Sequence, residues 1–295
     1  MKRVLLVFFV CILFWSNAQN FEMTFKSPQA YNPAFVGLND FGSLNLGGNL
    51  YNNTLITTNT YVGYNTYVKK ISGGIGVYNF NRRFDKYSNQ NRLGVNYAYQ
   101  TNIKDNWALS IGGGGEYIRN VYSFPDYPCS QTPCIPDEQV FNYMNLRLGG
   151  VLYSKQMFIG VSAVQPLNFS DFFVEYNINA GYHFDLPKYD ALNFNVSIEY
   201  LSDYGFGRFS INSVWQYKQF YLGTKWINFD YVGAVQLGAD FNRFRLYYSV
   251  TFGQSMFDNI QSTLNKIMYF NEIALQIKLP KFVNRNSKAF THLMY

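Results

Sequence analysis

The chain has 295 residues, of which only 14% are charged while 20% are aromatic, and its mean hydropathy is −0.15. Aromatic content this high exceeds what one soluble core needs; with Asn, Ser, Thr, Gln and Gly in place of charge, it fits a wall with lipid outside and water inside. The formal charge of +6 falls to +4 without Lys2 and Arg3, too small and too scattered an excess for a nucleic-acid partner.

The first element is MKRVLLVFFVCILFWSNAQN. Lys2 and Arg3 precede an apolar run from Val4 to Trp15, and Ser16-Asn17-Ala18 offers small residues for cleavage, so residues 1–18 read as a signal peptide. The run falls short of the roughly 20 apolar residues a spanning helix needs. Cys11 sits inside it without the small residues that precede a lipidated cysteine. No later apolar run approaches helical spanning length, which leaves a periplasmic, secreted or outer-membrane barrel protein. The expected organisation is a periplasmic N-terminal segment at 19–40, a barrel at 41–280 and a periplasmic tail at 281–295. The tail holds Lys281, Arg285, Lys288 and His292 and no acidic residue.

From residue 41 onward polar and apolar residues alternate, the period of a strand with one wet and one greasy face. In NFNVSIEY, Asn193, Asn195, Ser197 and Glu199 oppose Phe194, Val196, Ile198 and Tyr200. WALSIGG, YMNLRLGG, RLYYSVTF and NEIALQIKL repeat the pattern. Strands are expected near 41–50, 54–67, 72–80, 90–101, 106–119, 141–153, 156–164, 174–184, 191–202, 207–217, 219–229, 231–240, 242–252 and 270–279. That is an all-β fold, a transmembrane antiparallel β-barrel of about 14 strands. Even-numbered connections are short, whereas the long ones, at 81–89, 120–140, 165–173 and 253–269, all fall on the opposite end. Short periplasmic turns and longer extracellular loops produce this asymmetry.

The lipid bilayer is then the partner of the apolar face. Asn193, Asn195, Glu199, Arg147, Arg245, Glu272 and Lys278 are expected to face the lumen, with Arg92 and Glu116 following the same inward set. Val196→Arg should block assembly and Asn195→Arg should not. Tyr200, Tyr217, Trp226, Phe229 and Tyr231, near strand ends, suit interfacial girdles, with simple packing as the plainer reading.

Little in the chain suggests chemistry. Cys129 and Cys134 lie in the proline-rich PDYPCSQTPCIPDE, an exposed loop in an oxidising compartment, where a local disulfide is expected ahead of free thiols or a metal. His183 and His292 are the only histidines, no Ser-centred elbow or metal-ligand spacing occurs, and no catalytic, cofactor or metal site is expected. The glycine clusters at 72–76 and 112–115 sit within strand patterns without a following helix, so they read as bends and as space inside the barrel rather than a phosphate loop.

Ahead of the first strand stands Tyr31-Asn32-Pro33-Ala34-Phe35-Val36-Gly37. It resembles the YNPAYAG-like opening motif of the PorP/SprF family of type IX secretion membrane proteins. SGGIGVYNF, LGVNYAYQTNI, WALSIGGGGEY, FIGVSAVQPLN, YLGTKWIN and NEIALQIKL are similar to further family strands in the same order. An Asp-x-x-Gly turn after SGGIGVYNF and a Tyr-Ser-Tyr-Asp stretch, common in the family, are missing, which describes a divergent member. In this motif, Pro33 pushes Asn32 toward extended backbone and Gly37 permits a turn. It reads either as a periplasmic plug or docking edge, or as a turn that launches strand one.

The resemblance implies a role in type IX secretion in a Bacteroidota-type bacterium. The barrel would assist export and surface attachment of a secreted partner with a C-terminal sorting domain, such as an adhesin. Type IX components in the periplasm or outer membrane would be further partners, and some family members are linked to gliding. A pore for passive or selective solute transport, lined by Asn195, Glu199, Arg147 and Lys278, is the alternative. A soluble periplasmic ligand-binding β protein is a third reading.

Overall fold

The computed structural model describes residues 28–39, 41–51, 57–84, 87–104, 106–123, 138–167, 174–185, 192–203, 206–227, 232–254 and 267–279. The expected signal peptide, the tail 281–295, and Cys129 and Cys134 lie outside these residues. Within them the strands are β1 (Ser43–Tyr51), β2 (Thr57–Val68), β3 (Gly73–Phe84), β4 (Ser88–Lys104), β5 (Trp107–Ser123), β6 (Glu138–Tyr153) and β7 (Met157–Pro166). They continue as β8 (Glu175–Asp185), β9 (Leu192–Asp203), β10 (Phe206–Tyr217), β11 (Phe220–Ile227), β12 (Val232–Asp240), β13 (Phe244–Gln254) and β14 (Ile267–Lys278). Each pairs antiparallel with its sequence neighbours, and β1 closes on β14 from Ser43↔Lys278 to Tyr51↔Phe270. The sheet therefore has no edge whose amides lack a partner, the condition for strands to stand in hydrocarbon.

All fourteen strands fall where alternation places them, within a few residues. The apolar set points outward: Val95 is 54% exposed, Ile111 56%, Leu148 58% and Ile273 57%. On the same strands Asn96, Ser110, Arg147 and Glu272 are almost fully buried on the opposite face. An aqueous protein would not leave so many large apolar side chains uncovered all round a closed wall. Tyr200, Tyr217 and Trp226 are exposed near strand ends; the side chains of Phe229 and Tyr231 lie outside the described residues.

One expectation needs correction. Residues 81–89 are not a long loop: β3 runs on to Phe84 and β4 starts at Ser88, in continuous register from Asn79↔Leu93 to Phe84↔Ser88. Asn79 Nδ2 donates to Asn91 Oδ1 at 3.1 Å and Asn81 Nδ2 to Asn89 Oδ1 at 3.0 Å. The outward face of this extension is polar, with Asn79, Asn81 and Arg83 on β3 and Asn89 and Asn91 on β4, so the apolar outer stripe that marks a membrane strand ends although the pairing continues. β4 and β5 have 17 residues and β6 has 16, against 8 in β11 and 9 in β1 and β12. At about 3.4 Å per residue and a tilt near 40°, 17 residues rise well beyond an apolar band about 25 Å tall. The long-loop end is therefore high over β3–β6 and low over β11–β12.

Candidate functional site: the filled lumen

A barrel of eight strands is filled by its own side chains, and fourteen leave room. The room is taken by residues 28–38, which carry the opening motif. Asn32, Pro33, Ala34, Val36 and Leu38 are each less than 2% exposed, enclosed by the inward face of the wall. The segment expected at 19–40 as periplasmic is thus, over its described residues 28–38, inside the barrel. Of the two readings of the opening motif, a plug or docking edge and a turn that launches strand one, the geometry is that of a plug.

Local sequence shapes it. Asn32 is extended (φ −134, ψ 113), as its position before a proline requires, and Pro33 begins a single 3-10 turn, Pro33–Phe35. Asn32 Oδ1 caps that turn by accepting from the Ala34 amide at 2.9 Å. Its Nδ2 reaches out to the Val161 and Gly150 carbonyls at 3.1 and 3.4 Å, over the β6–β7 ladder. One side chain thereby shapes the turn and fixes it to the wall.

The accounting of main-chain carbonyls is complete from Gln29 to Val36. Asn96 Nδ2 donates to Gln29 O at 2.8 Å, Arg147 Nη2 to Ala30 O, and Ser162 Oγ to Tyr31 O at 2.9 Å. The carbonyls of Asn32, Pro33 and Phe35 accept from the amides of Phe35, Val36 and Leu38 within the segment. Ser110 Oγ takes Ala34 O at 2.7 Å and Gln100 Nε2 takes Val36 O at 3.0 Å. Buried carbonyls left without donors would make such a segment unstable in place. Wall side chains from β4, β5, β6 and β7 supply what the segment cannot supply itself.

Glycines supply the space. Gly37 has φ +70, and a Cβ there would stand 2.5 Å from Gly74 Cα. A Cβ on Gly112 would meet the Ala34 amide nitrogen at 2.5 Å, and one on Gly149 the Asn32 Oδ1 at 2.1 Å. Gly112 and Gly149 are register partners across β5 and β6, so they form one depression. Beneath it Ala34, Phe35 and Leu38 pack with Ala108, Val151, Tyr153 and Phe158. Phe35 meets Phe158 edge-on at 5.8 Å. Burying an aromatic or leucine side chain this fully contributes about 1.5–3 kcal/mol.

Above the plug, Arg147 spans Ala30 O, the Tyr78 hydroxyl and Glu116, whose Oε1 lies 3.7 Å from Arg147 Nη1. Glu116 also accepts from Tyr78 at 2.8 Å and Asn145 at 3.0 Å. A second cluster stands where the chain leaves the plug for β1. Arg245 Nε donates to Asp240 Oδ2 at 2.6 Å, Lys278 and Tyr221 bind the same carboxylate, and Phe41 lies 5.7 and 5.8 Å from the two cations. Leu279 N donates to Gly42 O at 2.7 Å, tying this corner to the closing seam.

Of the residues singled out from sequence, Tyr31, Asn32, Pro33, Ala34 and Gly37 are the plug, and Arg147 holds it. Arg245 and Lys278 converge on Asp240, a residue sequence reasoning passed over. Glu272 is buried on β14 opposite Ser249 and Asn49. Asn193, Asn195 and Glu199 lie on β9, with side chains outside the described residues. Asn96, Gln100, Ser110 and Ser162 were missed as anchors, since nothing but inward parity marked them. Among the described residues no group of His, Cys, Asp and Glu could hold a metal ion.

Comparison with known proteins agrees with this geometry. The wall is similar to the toluene transporter TbuX of Ralstonia pickettii, with a TM-score of 0.51 at 10% identity over 86% of this chain and 94% of that one. It is also similar to a deltaS2 mutant of the monoaromatic hydrocarbon channel TodX, with a TM-score of 0.52 at 8% identity over 85% of this chain and 93% of that one. Identities this low establish the outer-membrane barrel fold alone. Among curated proteins no sequence match was found. The profile of the family described as "Type IX secretion system membrane protein PorP/SprF" matches residues 16–267. The chain belongs to the PorP/SprF family of type IX secretion system membrane proteins and resides in the outer membrane.

Proposed function

We propose that this barrel serves type IX secretion as a sealed platform that keeps a secreted partner at the cell surface, rather than as a conduit. The partner would be a surface protein with a C-terminal sorting domain, such as an adhesin, held by non-covalent contact at the long-loop end. The observation that carries the reading is the plug: every carbonyl from Gln29 to Val36 is engaged, and the floor of the lumen is a packed apolar core. A lumen so filled favours a docking role over passage of solute. The tall wall of β3–β6 offers a rigid surface above the membrane on one side. Components of the secretion machinery would meet the short-turn end.

Affinity purification of the full chain from native outer membranes, followed by identification of bound proteins, tests this. Recovery of a surface protein bearing a C-terminal sorting domain is expected. Recovery of the barrel alone, together with steady conductance in planar bilayers, would replace this reading with the solute pore.

A further inference from the structure

The short turns at the plugged end share a composition that neither the wall nor the plug requires. Lys69 and Lys70 lie between β2 and β3, Lys155 between β6 and β7, Lys218 between β10 and β11, and Arg243 between β12 and β13, all exposed. Among the described residues of this rim no acidic side chain is exposed; Asp240 is engaged by Arg245 and Lys278. Asp105, Asp185 and Asp190, in the remaining turns, have side chains outside the described residues.

In three of these four turns the cation stands beside an exposed apolar or aromatic side chain. Ile71, next to Lys70, is 41% exposed. Tyr217 and Phe220 flank Lys218, whose Nζ lies 5.4 Å from the Tyr217 ring. Phe241 and Phe244 flank Arg243, their tilted rings 4.7 Å apart. Apolar groups at the edge of the hydrocarbon with a flexible cation just outside it are the arrangement that meets a layer of phosphates. The turns lie between strands 2 and 3, 6 and 7, 10 and 11, and 12 and 13, hence on widely separated sectors of a closed barrel. A partner protein docking from one side reaches one or two of them, whereas a leaflet reaches all.

We infer that this rim is a binding belt for anionic phospholipid headgroups of the periplasmic leaflet, with Lys70, Lys155, Lys218 and Arg243 as its phosphate contacts. The belt fixes the depth and tilt of the barrel and does not depend on which partner the opposite end holds. Short-turn ends of outer-membrane barrels face the periplasm, which sets the leaflet.

Native mass spectrometry of the full chain, released from micelles containing equal phosphatidylglycerol and phosphatidylethanolamine, tests it. The wild-type chain is expected to retain phosphatidylglycerol preferentially. A variant carrying Lys70→Gln, Lys155→Gln, Lys218→Gln and Arg243→Gln should lose at least about threefold of that retention, with phosphatidylethanolamine unchanged. Two double variants, Lys70→Gln with Lys155→Gln and Lys218→Gln with Arg243→Gln, should each lose part of it, and they carry the test should the fourfold variant fail to fold. Equal phosphatidylglycerol retention in a folded variant overturns the inference, as does a parallel fall for both lipids. Unchanged lipid retention accompanied by loss of a co-purifying acidic periplasmic protein would also overturn it, in favour of a protein dock.

Discussion

Gly37 and Gly74 meet backbone to backbone inside the barrel: a Cβ on Gly74 would lie 2.2 Å from the Val36 carbonyl oxygen. Neither atom belongs to a flexible side chain, so the plug and β3 can be this close only while both positions lack a side chain. Gly74→Val should therefore unseat the plug from a barrel that still forms. A Val36→Cys reporter, with Cys129 and Cys134 replaced by Ser, checks this: Val36 is fully buried and should resist maleimide in the folded barrel, but react once Gly74 is valine.

Removing residues 28–38 takes away the core around Phe35 and Leu38 and leaves the polar wall open. In planar bilayers the intact chain should give no steady channel, while the deletion variant should conduct ohmically. A silent deletion variant that still shows the heat-dependent mobility of a folded barrel would mean something else closes the lumen.

Arg147 holds the plug from above and neutralises Glu116, and both side chains are almost fully buried. Arg147→Met leaves the carboxylate with its hydrogen bonds from Tyr78 and Asn145 but without its ion-pair partner, and loss of one partner of a buried pair costs about 3–5 kcal/mol. Urea titration of the refolded barrel in micelles should show that loss. Adding Glu116→Gln should recover part of it, because the stranded charge is then gone.

Leu148 and Val140 are both exposed on the outer face of β6, eight positions apart, which at about 3.4 Å per residue and a 40° tilt is about 20 Å in height. Leu148→Arg stands in the apolar band, where arginine costs roughly 2–4 kcal/mol, and Val140→Arg stands above it, where the cost is about 0–1 kcal/mol. Folding yield into lipid vesicles should fall for the first and hold for the second.

The disulfide expected between Cys129 and Cys134 would close a small ring in a proline-rich stretch. The oxidised chain should bind no iodoacetamide at these two positions and should take up two groups after reduction. Replacing both by Ser should cost no more than about 2 kcal/mol, since a ring this short restricts the unfolded chain only modestly.

The strands were legible because each lies between two solvents. One face of RLYYSVTF had to be apolar and the other wet, so the sequence carries a period of two that fixes strand number and facing. Where the outward face turns polar, as at Asn79, Asn81 and Arg83 on β3 and Asn89 and Asn91 on β4, the apolar outer period is lost, and tertiary pairing through the Asn79–Asn91 and Asn81–Asn89 amides decides that the hairpin continues. The glycines of β3 and β5 announced space inside without saying what fills it.

By itself, then, the sequence determined a fourteen-stranded wall, its lipid face and the family motif ahead of it. Only the folded chain decided that the motif lies within the lumen. Its partners are single polar side chains and glycines on five strands far from it in sequence; Asn32 and Val161, for one, are 129 positions apart. Such contacts leave no local periodicity. They exist once closure of the barrel brings β3 to β7 around one short segment whose carbonyls need donors.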